Sequence, residues 1–173
     1  MKEIIEAHYN KNGIYSSAIF SNCRRYRYAL TRSENLSEKF LLFILLNPST
    51  ANEVNNDPTV ARCQKRASIL GYKSFRVCNL FAFRTKNPSL MKKSSNPIGP
   101  NNDKILQASL KQAKQVICAW GSDGNHLERA EAVKKMLAKS QAKIFHLGLT
   151  KTNQPKHPLY LQYSQTPIEW SNK

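Results

Sequence analysis

The sequence predicts an α/β fold: a three-layer α/β/α sandwich built on a central, mostly parallel, four-stranded sheet, with an antiparallel hairpin ahead of it. Three observations carry this expectation. Four short apolar runs (residues 40–46, 74–81, 115–120 and 143–149) hold few charges, as strands buried on both faces do. Segments with helical spacing separate them, which gives the alternation of a doubly wound domain. Each run stops at polar residues or Gly and Pro, and right-handed crossovers bring all four strand ends to one edge. In open α/β sheets that edge is where ligands bind.

The elements follow in order. Residues 1–13 read as a polar lead-in that ends at Asn12-Gly13. Residues 14–20 and 25–30 carry aromatic and β-branched side chains around the turn-like Ser21-Asn22-Cys23-Arg24, so 14–39 is expected to hold an antiparallel hairpin at the sheet edge. Arg24-Arg25-Tyr26-Arg27-Tyr28 interleaves basic and aromatic residues. That pattern suits contact with nucleic-acid phosphates and bases; it equally suits an edge strand with arginines in water and tyrosines inward. Residues 31–39 read as a polar loop. The core then spans 40–170, and the whole chain 1–173 is expected to form one domain.

Strand 40–46 runs straight into Asn47-Pro48-Ser49-Thr50. Asp57 is placed to cap a helix, with Pro58 in its first turn and Gly71 at its end. Strand 74–81 leads to Asn79, Phe81 and Arg84. Residues 84–102 form a long, proline-rich loop of the kind that is functional or disordered. Asn101 or Asn102 caps a helix to about 114, and 126–139 is another helix. Strand 115–120 stops at Trp120-Gly121, and strand 143–149 opens into Thr150 through Lys156 and His157.

Charge narrows the partners. Lys and Arg total 27 against 11 Asp and Glu, a formal net charge of +16. Residues 58–102 and 132–168 contain no acid at all. A polyanionic partner is expected, a nucleic acid or a nucleotide. No apolar run approaches a membrane span, and Met1-Lys2-Glu3-Ile4-Ile5-Glu6 has no apolar leader core, so a soluble, monomeric, cytoplasmic protein is expected. The four cysteines stand far apart without C-x-x-C spacing and read as reduced thiols.

Several chemistries drop out. There is no G-x-x-x-x-G-K-[ST], no G-x-G-x-x-G after a strand and no G-x-S-x-G. The histidines lack metal-ligand spacing and acids are scarce at the strand ends, so no metal and no cofactor are expected. Gly121-Ser122-Asp123-Gly124 could hold one phosphate on backbone N–H groups or serve as a plain turn. What remains at the edge is amides, hydroxyls, arginines and one histidine. Asn47 and His157 are the candidate catalytic residues. Pro48, Ser49, Thr50, Asp57, Asn79, Phe81, Arg84, Trp120, Gly121 and Lys156 are the candidate binding residues. An asparagine amide pairs with a base edge through one donor and one acceptor. A histidine can meet an oxyanion as it develops. Each has a plainer role open to it: Asn47 and Asn79 as turn closers, Asp57 as a helix cap, Arg84 as surface charge, Trp120 as core, His157 as a surface residue.

Leu45 to Ala51, Asn56-Asp57-Pro58-Thr59, Asn79 to Arg84, Trp120-Gly121, Leu147 to Thr150 and His157-Pro158-Leu159-Tyr160 resemble, in order, the bacterial family called domain of unknown function 1643. More distantly, the arrangement is similar to the uracil-DNA glycosylase superfamily. That resemblance implies that Asn47 before Pro48 orients an attacking water, that Asn79 recognises the base and that His157 before Pro158 stabilises the departing base. Ser49 stands where that superfamily has Gly, Leu159 stands where it has Ser, and no aromatic residue follows the first motif to stack on the base. The resemblance thus implies a nucleic-acid-directed hydrolase of N-glycosidic bonds in damaged or modified bases, with DNA in preference to RNA. The alternatives are a non-catalytic nucleic-acid-binding module and an enzyme of free nucleotides or nucleosides.

Overall fold

The computed structural model describes residues 3–170. Strands β1 (Ile4–Lys11), β2 (Ile14–Ser21) and β3 (Arg27–Ser33) form an antiparallel meander. They are followed by β4 (Leu41–Leu45), α1 (Pro58–Ile69), β5 (Ser74–Asn79), α2 (Pro88–Lys93), α3 (Asn102–Gln112), β6 (Gln115–Cys118), α4 (Arg129–Ala138), β7 (Lys143–His146) and β8 (Ile168–Glu169). All eight strands join one sheet in the order β1-β2-β3-β5-β4-β6-β7-β8.

The fold is α/β, and the expected four-stranded, mostly parallel sheet is corrected. Three pairings are parallel, β4 with β5, β4 with β6 and β6 with β7; the other four are antiparallel. The parallel block forms because α1, α3 and α4 each return the chain to the same end of the sheet. The meander then docks through β3 onto β5, which a hairpin-only reading does not foresee.

β4 lies inside the parallel block, and Leu41 through Ile44 have no exposed surface. The pleat sorts its side chains. Leu41, Phe43 and Leu45 pack with Val60, Cys63 and Ala67 of α1. Leu42 and Ile44 pack with Leu106 and Leu110 of α3 and with Val133 and Leu137 of α4. Helices therefore cover both faces, and each buried Leu, Phe or Val contributes about 1.5–3 kcal/mol.

Several boundaries differ from expectation for local reasons. Residues 4–11, read as a lead-in, are strand β1. Its residues are exposed or half-buried throughout, so it carries no apolar run. Asn12 (φ 52°) and Gly13 (φ 76°) are both left-handed and close its hairpin with β2, as tight hairpin turns require. The 84–102 segment contains helix α2, capped by Asn87 with Pro88 in its first turn, the same device that starts α1. The expected helix 126–139 begins only at Arg129. Residues 122–128 form 3₁₀ turns, and Leu127 and Glu128 (both φ 52°) break the chain direction.

Trp120, 1% exposed, seats its ring on Gly124 and donates from Nε1 to Gln154 Oε1 (2.8 Å). A Cβ on Gly124 would lie 2.2 Å from Trp120 Cδ1. Gly124→Ala is expected to cost about 1–3 kcal/mol through overpacking, read as a lower urea midpoint with an unchanged slope.

Candidate functional site

The end of β5 is pinned from behind. Asn102 at the start of α3 donates from Nδ2 to the carbonyls of Asn79 (3.0 Å) and Leu80 (2.9 Å). Arg129, at the start of α4, donates from Nε to Leu80 O (2.8 Å) and pairs with Asp103. In front, Leu80 N and Phe81 N donate to Leu45 O and Leu46 O (2.8 and 2.9 Å), so the two central strand ends stay in register beyond the strands themselves.

The loop from Asn47 to Asp57 is held by two arginines of β3. Arg27 donates from Nη1 to Ala51 O (2.9 Å). Arg32 donates from Nη2 to Asn52 O (2.6 Å) and Asn56 Oδ1 (2.9 Å). The sequence reads Arg27 as facing nucleic acid or water and places Arg32 in a polar loop. They are 2% and 5% exposed instead, because the carbonyls of a loop without regular structure need donors. Burial pushes the Arg27 guanidinium down to about 10, with Asp57 opposing, so Arg27 stays charged at neutral pH. Asp57 caps α1: Oδ1 accepts from Val60 N (2.9 Å) and Oδ2 from Ala51 N (3.4 Å).

Asn47 is half-buried and donates from Nδ2 to Thr85 O (2.8 Å) and Pro48 O (3.2 Å), while Thr85 N donates to Pro48 O (2.9 Å). These bonds lace the first strand-end loop to the second. Where they meet lies an open hollow of about 430 Å³, lined by Ser49, Thr50, Phe83, Thr85 and the cations Arg24, Arg25, Arg84 and Lys86. No carboxylate lines it. Arg25 lies over the Phe83 ring, 6.0 Å from its centre, and Arg84 donates from Nη1 to Arg24 O (3.1 Å).

Asn79 sits level with Leu45 in the parallel register, on the α1 side of the sheet with Phe75 and Val77. It is 1% exposed, and neither amide atom has a partner among the described residues. Gly121 and His157 meet on the same edge: a Cβ on Gly121 would lie 3.7 Å from His157 Cβ, and Gly121 N donates to Pro155 O (2.7 Å). His157 Nδ1 accepts from Leu159 N (3.4 Å), which places the proton of the neutral ring on Nε2. Burial lowers the His157 pKa, and the Asp57 carboxylate partly offsets this.

The structure therefore divides the predicted residues. Ser49, Thr50 and Arg84 line the cationic hollow, with Asn47 and Pro48 tied to its wall. Asp57, Asn79, Gly121 and His157 belong to the α1 side of the edge. Phe81 and Trp120 are core residues packed toward α3 and α4, Phe81 against His126. Lys156 is exposed with its stem over Gly148. Sequence reasoning missed Phe83, Thr85 and Lys86 as wall residues. Phe83 follows the end of β5 by four residues and sits beside Arg84, and that neighbourhood was the available signal.

The histidines give a pH signature. Burial lowers the pKa of both His157 and His146 from 6.5. The unfolded chain then binds more protons at mildly acid pH, so their contribution is fully present above about 6.5 and is lost as pH falls through the lower folded-state values. Wild type is expected to lose stability on acidification below that point. His157→Asn, which keeps a capping side chain, is expected to flatten the profile in denaturant titrations at stepped pH.

These features define an α/β protein with a cationic hollow and buried amides at the C-terminal ends of its parallel strands. The chain belongs to the family described as Protein of unknown function (DUF1643), which it matches over residues 27–159. No curated protein and no solved structure matches the chain. Among the described residues no helix is long and apolar enough to cross a membrane.

Proposed function

We propose that this is a nucleic-acid-directed protein, with DNA as the preferred partner, that draws a base into the strand-end edge and hydrolyses its N-glycosidic bond in the manner of a uracil-DNA glycosylase. The hollow carries the proposal. Four cations and one aromatic ring surround a space within the range of ligand pockets, with no acid to repel phosphate. Phe83 offers the base a stacking face. His157 would donate from Nε2 to the departing base, and a neutral ring is what its burial favours. Asn47 Oδ1, free of protein donors among the described residues, would hold the attacking water. Asn79, whose buried amide atoms have no partner among the described residues, would read the base edge.

One observation favours the non-catalytic module. Asn79, which would have to read the base, is sealed from solvent at 1% exposure. Binding of a labelled single-stranded oligonucleotide tests the shared part of both readings. Phe83→Ala is expected to weaken binding by about 1–3 kcal/mol, and Arg84→Ala to make the salt dependence shallower by about 0.7. If both variants bind as wild type does, the hollow is not the nucleic-acid site.

A further inference from the structure

The opposite edge of the sheet carries a second concentration of positive charge. A hollow of about 990 Å³ opens where α3 and α4 end, beside the N-terminal ends of β4, β6 and β7. Five lysines line it: Lys39 ahead of β4, Lys111 and Lys114 at the end of α3, and Lys135 and Lys139 at the end of α4. All five are exposed, no carboxylate lines the hollow, and none of the five takes part in an ion pair among the described residues. Lys134, by contrast, is paired with Glu131 one residue away from Lys135.

Helix dipoles account for only part of this. Lys111 and Lys135 lie in the last turns of α3 and α4, where a cation is stabilised by the carbonyl end. Lys139 is the C-cap of α4 and shares this stabilisation, and Lys114 lies over the Tyr72 ring at 5.9 Å, while Lys39 has no such support. The five like charges repel one another, and an anion seated among them removes that cost.

We propose that this lysine hollow is a second nucleic-acid-binding surface, one that takes the phosphate backbone without reading sequence. Lysines on three separate segments suit a row of phosphates better than one buried anion. The lining has no aromatic residue and no arginine, so it offers neither base stacking nor bidentate base-edge contacts. β4 separates the two edges by about 17 Å along its length, so the two cationic hollows engage different phosphates and the protein holds nucleic acid at two points. This surface stands on its own lysines, whatever chemistry the strand ends perform.

The test compares three proteins by anisotropy with a labelled DNA duplex across a salt series. In the first, Lys111, Lys135 and Lys139 are replaced by Glu. In the second, a charge-matched control, Lys11, Lys65 and Lys93 are replaced by Glu; these are exposed and line neither hollow. The third is wild type. The hollow variant is expected to bind about tenfold or more weakly at low salt, with a salt slope shallower by roughly 2–3 units, and the control to lose much less. Circular dichroism checks that both fold. Equal losses in the two variants reduce the effect to net charge and overturn the proposal. So does an unchanged slope in the hollow variant, or displacement of polyglutamate but not DNA by the hollow substitutions, which would assign the surface to an acidic protein. Base release at the other edge is measured on the same samples and is expected to persist at saturating DNA, so failure of one reading is separable from failure of the other.

Discussion

Asn79→Leu is expected to stabilise the protein and to abolish the proposed base release. The two effects share one cause. The Asn79 side chain is 1% exposed, and its Nδ2 and Oδ1 are unpartnered. A buried amide without partners costs about 1–3 kcal/mol, which an apolar side chain of similar shape recovers. The neighbours on its face, Phe75, Val77 and Leu45, are apolar and accept leucine. A residue kept for structure would not show a gain in stability on removal; a residue kept for a ligand would. Thermal unfolding and base release measured on the same preparation decide the matter. A lower melting temperature for the variant would show that the amide serves the fold.

Arg27→Ala is expected to cost about 3 kcal/mol and to loosen the whole 47–57 loop. Arg27 is 2% exposed, supplies the donor to Ala51 O and provides the nearby positive charge for Asp57, itself 8% exposed. Its removal leaves a cavity, an unpartnered carbonyl and a buried carboxylate together. Because Asp57 also caps α1 and accepts from Ala51 N, the disturbance spreads to the helix start and to the wall carrying Ser49 and Thr50. Denaturant unfolding gives the stability loss, and limited proteolysis locates new cleavage within 47–57. Arg27→Lys keeps the charge but loses the planar fork, and an intermediate loss is expected.

How far the chain could be read in advance depended on the kind of signal each part carries. β4 and the start of α1 were legible because they depend on local rules: an unbroken apolar run, then Asp57-Pro58 as cap and first turn. β1 was not, since an exposed edge strand has no apolar face to display. Nor was the docking of β3 beside β5, a long-range pairing that leaves no periodicity in either strand. At the site, Asn47, Asp57 and His157 were picked out by their place at strand ends. Arg27 was misread because an arginine next to tyrosines looks solvated until the loop that needs its donors is in place. Trp120 and Phe81 read as candidate binding residues, yet both pack in the core on the α3 and α4 side, Phe81 because the alternation of β5 ends at Asn79.

The central claim is that the strand-end edge cleaves the bond between a base and its sugar. Oligonucleotides carrying uracil, hypoxanthine or other modified bases, incubated with the protein and then treated with alkali, test it most directly. The account predicts strand breaks at one class of modified base, lost in Asn47→Ala and in His157→Ala while binding persists. Tight, salt-sensitive binding with no break at any base in the panel would contradict it and leave a module that holds nucleic acid without acting on it.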